Sequence, residues 1–241
     1  MAATDDQFAA QVADPSRHAV ADFSIDSDLL LVLFGGIAGG VSMPVYEFFR
    51  VTDGYPVKRL FLRDPRHSWY LRGLPGVGDD AKSILVGLDD AIRQSGARRV
   101  VMAGASAGGF AALHFGSLLG VQQVLAFSPQ TFIDARRRAA AGDDRWAPQI
   151  DVLHAALGSE NPQYDVLPNI TAASGIRFSV HVSDDDPLDL VHSARLEGLP
   201  GVATVVHPGG GHRLVKFLRD SGALRDILAG VLGEPAPGEL A

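Results

Sequence analysis

Short, almost wholly apolar runs alternate along this chain with longer stretches whose apolar positions recur every three to four residues. The short runs predict strands over 28–34, 57–62, 99–103, 121–127, 176–183 and 202–207, with an edge strand near 22–25. The longer patterns predict helices over 39–50, 79–95, 107–119, 188–197 and from His212 onward. Within 79–95, Ile84, Leu85, Leu88 and Ile92 form one core-facing stripe. Strand and helix in alternation are the mark of an α/β fold, a mainly parallel central sheet flanked by helices on both faces. Residues 129–174 break the rhythm. They carry Arg136, Arg137, Arg138 and Trp146, a patterned stretch over 150–157, and prolines at 162 and 168. No internal repeat is visible.

Composition narrows the classes of function. The 241 residues are 46% hydrophobic and 20% charged, enough for one α/β domain over 1–241 with a sizeable core. A formal net charge of −7 argues against a general binder of nucleic acid or of anionic membranes, while leaving room for a local basic patch. With no cysteine, disulfides, thiolate metal sites and a cysteine nucleophile are excluded. The first residues show no basic leader followed by an apolar stretch, and the longest apolar run, 29–34, is too short to span a bilayer. A cytoplasmic protein with no membrane span is therefore expected. Asn169-Ile170-Thr171 fits a glycosylation sequon, read as chance without a secretory signal. The tail over 233–241 is expected to fray.

The chemistry centres on Gly104-Ala105-Ser106-Ala107-Gly108, between the run ending at Ala103 and the helical pattern from Ala107. A sharp strand-to-helix turn lifts a serine hydroxyl clear of the backbone and aims the first helical N–H groups at the same space. A hydroxyl becomes a useful nucleophile only when a base takes its proton and donors receive the charge of the intermediate. In these residues the chain resembles the α/β-hydrolase superfamily, in its serine esterase and lipase form, whose nucleophile elbow reads G-x-S-x-G.

The resemblance implies a Ser-His-Asp triad in the chain order serine, acid, histidine. Ser106 is the expected nucleophile. His212, in the loop after the last strand and following Gly209, Gly210 and Gly211, is the expected base, with His207 as rival. Asp186, directly before Pro187, is the expected acid, followed by Asp185, then Asp184 and Asp189, with Asp134 a more distant candidate. The oxyanion donors are expected to be the N–H of Ala107 and that of Gly36 or Ile37, in the glycine-bearing loop 35–40. Trp69 and Tyr70 stand as a candidate aromatic wall of the substrate pocket, with a surface loop pinned by its aromatics as the alternative. His114 and His181 are read as packing residues, His67 and His192 as peripheral or surface groups.

Residues 129–174 are expected to be either a small cap, between the sixth and seventh strands, or an ordinary crossover with a longer loop. No cofactor and no metal is expected. The glycines at 35–40 lack the spacing of a dinucleotide site, and the aspartates at 184–189 lack the glycine and terminal glutamate of a calcium loop. The expected activity is hydrolysis of a carboxylic ester or related acyl compound through an acyl-serine intermediate, on a small-molecule acyl substrate. An acyltransferase passing the acyl group to a sugar or other alcohol, and a non-catalytic binding member of the fold, are the alternatives. Substrate identity and oligomeric state are left open.

Overall fold

The computed structural model describes residues 2–37, 48 and 51–234. The helix expected over 39–50 thus lies outside the described residues except for Phe48, as does the chain from 235 on. Seven strands form one sheet: β1 (Ala19–Asp22), β2 (Leu29–Phe34), β3 (Lys58–Leu62), β4 (Arg99–Ala105), β5 (Gln123–Phe127), β6 (Arg177–Ser183) and β7 (Val202–His207). Their spatial order is β1-β3-β2-β4-β5-β6-β7, and among the described residues only the β1–β3 pair of this sheet is antiparallel.

Side-chain alternation explains why the central strands read as unbroken apolar runs. Every residue of β2 is buried. Leu30, Val32 and Phe34 enter the core on one face of the sheet, whereas Leu29, Leu31 and Leu33 enter the core on the other. The first core includes Ile84 and Leu88 of the helix Ala81–Ser95 and Phe110 and Leu113 of the helix Ala107–Leu119. The second includes Phe8 and Val12 of the helix Ala2–Ala13, and Leu214, Leu218 and Leu228 of the helices Leu214–Asp220 and Ala223–Leu232. Burying one such side chain stabilises the fold by roughly 1.5–3 kcal/mol.

β1 lies earlier than the expected 22–25. Asp22 accepts the Ser24 N–H at 3.1 Å and the Arg59 guanidinium at 3.2 Å, which turns the chain where that strand was expected to begin. At the opposite margin, among the described residues, β7 pairs only with β6, and the adjacent Val205 and Val206 are both exposed.

The stretch 129–174 links the fifth strand to the sixth, not the sixth to the seventh as expected, and runs through the helices Ala135–Ala141, Ala147–Leu157 and Leu167–Ala172, with a 3-10 turn at Pro162–Tyr164. Ile133, Ile150, Leu153, Tyr164, Val166 and Ile170 sink from it into the first core. Among the described residues no helix is long and apolar enough to cross a membrane. The parallel strands β2, β4, β5, β6 and β7 end on the same side of the sheet, the side on which open α/β sheets build their sites.

Candidate active site

Ser106 follows β4 and opens the helix Ala107–Leu119 with φ 54° and ψ −118°, a conformation that L residues rarely adopt. Its N–H donates to the Phe127 carbonyl at 2.9 Å, its carbonyl accepts from the Phe110 N–H at 3.0 Å, and its hydroxyl caps nothing. The flanking glycines are steric necessities. A Cβ at Gly104 would stand 2.3 Å from the Gly108 carbonyl oxygen, and one at Gly108 would stand 2.1 Å from that of Phe34. The helix therefore runs in against the strand ends at a distance that admits no methyl group.

His212 arrives from β7 through three glycines with positive φ, Gly209, Gly210 and Gly211. Asp184 accepts the Gly209 N–H at 2.9 Å and Asp185 the Gly211 N–H at 2.8 Å, which ties the loop after β6 to the loop after β7. The imidazole Nε2 lies 2.9 Å from Ser106 Oγ. Its Nδ1 lies 3.0 and 2.9 Å from the two carboxylate oxygens of Asp189, whose side chain is fully buried.

The carboxylate behind the imidazole is thus Asp189 rather than the expected Asp186. Asp186 is the N-cap of the helix Pro187–Ala194, and its carboxylate accepts the Asp189 N–H at 3.0 Å. A proline at the first helical position places the preceding aspartate at the cap, where the free helical N–H groups engage its oxygens. Asp189, inside the first turn, is left free to face His212. Asp134 likewise caps the helix Ala135–Ala141, and His207 pairs with His181 at 3.0 Å.

Behind Asp189 stands a charged cluster with no precedent in the sequence reading. Arg145 grips Asp143 with Nε and Nη2, each at 3.0 Å, and sets Nη1 2.7 Å from Asp189 and 3.2 Å from His212 Nδ1. His192, expected at the surface, is 1% exposed. Its Nδ1 accepts the Thr131 N–H at 3.0 Å, so the ring proton sits on Nε2 and donates to Asp143, also at 3.0 Å. Burial alone would raise the pKa of Asp143, but hydrogen bonds from His192 and Arg145 and the guanidinium charge more than reverse it. Burial acts the same way on Asp189 and is likewise overcome, first by His212 and then by Arg145, leaving its pKa lowered. Burial holds His192 below its ordinary value, as the neutral ring.

Ligating atoms of Asp186, Asp189 and His212 converge to within 4.8 Å. The Arg145 guanidinium already supplies the cation there, 2.7 Å from Asp189 and 3.9 Å from Asp186. These side chains already form a hydrogen-bonded array around the guanidinium, which occupies the place a metal ion would take.

The loop after β2 runs beside the serine. A Cβ on Gly36 would lie 3.1 Å from the Ala105 carbonyl oxygen and 3.9 Å from Ser106 Cβ. Ile37 follows, buried. Ala107, as first residue of its helix, carries an N–H with no intrahelical acceptor. Trp69 and Tyr70 are fully buried and belong to the core, so they do not form an open pocket wall. The physical reason lies in Asp64, which accepts the Ser68 and Tyr70 N–H groups at 2.6 and 2.9 Å and folds the chain back through left-handed His67, Trp69 and Tyr70. The Tyr70 hydroxyl reaches the Gly35 carbonyl at 2.9 Å and so braces the loop that holds Gly36. The Trp69 indole N–H donates to Gln130 at 2.9 Å.

No family model matches this sequence, and no curated protein matches it. Solved structures do. Est1E from Butyrivibrio proteoclasticus superposes with a TM-score of 0.62 at 13% identity, covering 90% of this chain and 94% of that one. The capsule O-acetyltransferase of Neisseria meningitidis serogroup A superposes with a TM-score of 0.66 at 14% identity, over 90% and 91% of the two chains. FphF, a fluorophosphonate-binding serine hydrolase of Staphylococcus aureus, gives 0.60 at 14%, over 86% and 84%. The chain has the α/β-hydrolase fold.

Proposed function

We propose that this protein is a serine acyl hydrolase acting on carboxylic esters or related small acyl compounds. Carrying the proposal is the unbroken contact from the Ser106 hydroxyl to His212 Nε2, at 2.9 Å, and from His212 Nδ1 to Asp189, at 2.9 Å. Ser106 Oγ attacks the acyl carbon as its proton passes to Nε2. Asp189 keeps the other ring proton on Nδ1 and stabilises the imidazolium. The N–H groups of Ala107 and of Gly36 or Ile37 receive the oxyanion, where losing one donor costs about 2.7–4 kcal/mol. The imidazolium then protonates the leaving alcohol, the acyl-serine remains, and water attacks it by the same proton path in reverse.

Likeness to the capsule O-acetyltransferase supports a second reading, in which an alcohol takes the place of water at the acyl-serine. Labelling with a fluorophosphonate probe and peptide mapping tests the shared chemistry. The wild type should be labelled at Ser106 and should hydrolyse p-nitrophenyl acetate, whereas Ser106→Ala should do neither. Undiminished labelling of Ser106→Ala would defeat both readings. Addition of sugar acceptors, with mass spectrometry of the products, separates transfer from hydrolysis.

A further inference from the structure

We propose that Arg145, carried in from the stretch between β5 and β6 and held by Asp143 and His192, is a positioning residue that fixes both the place and the charge of Asp189. The inference rests on the hydrolase reading and deepens it. In the resting site the imidazole must be neutral in order to accept the serine proton. Asp189 is then a fully buried carboxylate without a cationic partner on its histidine side. Arg145 supplies that partner at 2.7 Å from the other flank, with its own side chain 17% exposed.

The geometry makes Arg145 a fixed element. Its bidentate grip on Asp143 uses Nε and Nη2, which leaves Nη1 alone to serve Asp189. Asp143 is held in turn by His192, whose orientation is locked by the Thr131 N–H and by the Thr131 hydroxyl, which donates to the His192 carbonyl at 3.0 Å. Lysine could not span both carboxylates in this way, since it offers a point charge where arginine offers a planar fork.

The same guanidinium lies 3.2 Å from His212 Nδ1, so it opposes the imidazolium that Asp189 favours. The charged groups facing the imidazole are Asp189 and Arg145 on its Nδ1 side. Asp143 lies beyond Arg145, Asp186 is 3.9 Å from Nη1, and Asp185 holds the adjoining Gly211 N–H. Arg145 therefore keeps the acid ionised and adds a positive charge beside the ring that Asp189 faces.

The test compares wild type, Arg145→Met, Arg145→Lys and Asp143→Asn by two readouts. One is the pH profile of kcat/KM on p-nitrophenyl acetate, and the other is the proton-NMR titration of His212. In Arg145→Met, which removes a positive charge 3.2 Å from the ring, the acid limb and the His212 midpoint should both move up, with kcat lowered and KM little changed. Arg145→Lys should return the limb most of the way while kcat stays below wild type. Asp143→Asn removes an acid and leaves the guanidinium, so it should move both downward. Opposed movements cannot come from a general loosening, and Arg145→Lys with Asp143→Asn carry the test should Arg145→Met fail to fold. A uniform loss of activity with limb and midpoint unmoved would overturn the proposal. Fluorophosphonate labelling of the wild type separates the two claims. A wild type that takes no label while the midpoints still shift defeats the hydrolase reading and leaves the charge device standing.

Discussion

Replacing Ser106 by glycine should leave the protein more stable than replacing it by alanine. At φ 54° and ψ −118° the backbone of Ser106 is held where a Cβ is crowded, and such a residue stores on the order of 1–3 kcal/mol. The mirror image of this conformation lies in the ordinary extended region, so an achiral residue adopts it without strain. Alanine keeps the Cβ and the strain, and glycine removes both. Glycine also adds unfolded-state freedom, which offsets about 0.5–1 kcal/mol of the gain. Both variants lose the hydroxyl bond to His212 alike, and no capping bond is lost in either. The balance favours glycine by about 1 kcal/mol. In a chain of 241 residues that raises Tm by roughly 2–4 °C. Urea and thermal denaturation of the two inactive variants measure the difference directly. Equal stabilities, or a more stable alanine variant, would show that the turn stores no strain and would remove the steric account of the exposed hydroxyl.

Two further outcomes follow from the site and the core. Asp189→Asn should lower kcat by about 10⁴-fold, because the amide favours the imidazole tautomer with its proton on Nε2, which cannot accept the serine proton. Asp186→Ala should keep kcat within a few-fold and cost about 1 kcal/mol as a lost helix cap, so steady-state kinetics with matched denaturation curves separates the two aspartates, and the reverse pattern would restore Asp186 as the acid. Acid should also weaken the fold before it unfolds it. Burial pushes His114 down to about 4, and burial with His207 alongside pushes His181 down to about 4 as well. Below pH ~6.5 the unfolded chain takes up protons that the folded chain refuses, so stability is complete above that pH and falls toward pH ~4, on the order of 3 kcal/mol per histidine. The gap between urea midpoints at neutral and mildly acid pH should narrow by about half in His114→Gln, with His181 keeping the rest, and an unchanged gap in that variant would refute the assignment.

The strands were legible because a sheet covered on both faces demands apolar residues at every position, as in Leu29–Phe34. The serine turn was legible because two glycines that no other residue can replace mark it. His212 was legible through the three glycines that deliver it. Choosing among four nearby aspartates was harder, yet a signal existed. Proline at a first helical position assigns the preceding Asp186 to backbone capping and leaves the next aspartate of that helix free. Trp69 and Tyr70 looked like pocket walls because composition records aromatic character and not direction, which here is set by the Asp64 side chain. Arg145, Asp143 and His192 gave no local sign at all. Their meaning comes from contacts across dozens of residues, made only when the crossover from β5 folds back over the loop after β6.

The serine and the histidine answer to different parts of the sheet. Ser106 hangs from β4, which has hydrogen-bonded neighbours on both sides, whereas His212 hangs from β7, which has one on a single side. Margins open at lower free energy than interiors. On the proposed mechanism, peeling of that rim would withdraw the proton acceptor and leave the alcohol idle, in a molecule otherwise still folded. Whatever grips or frees the outermost described strand would then hold an off-switch for that chemistry, well short of denaturation.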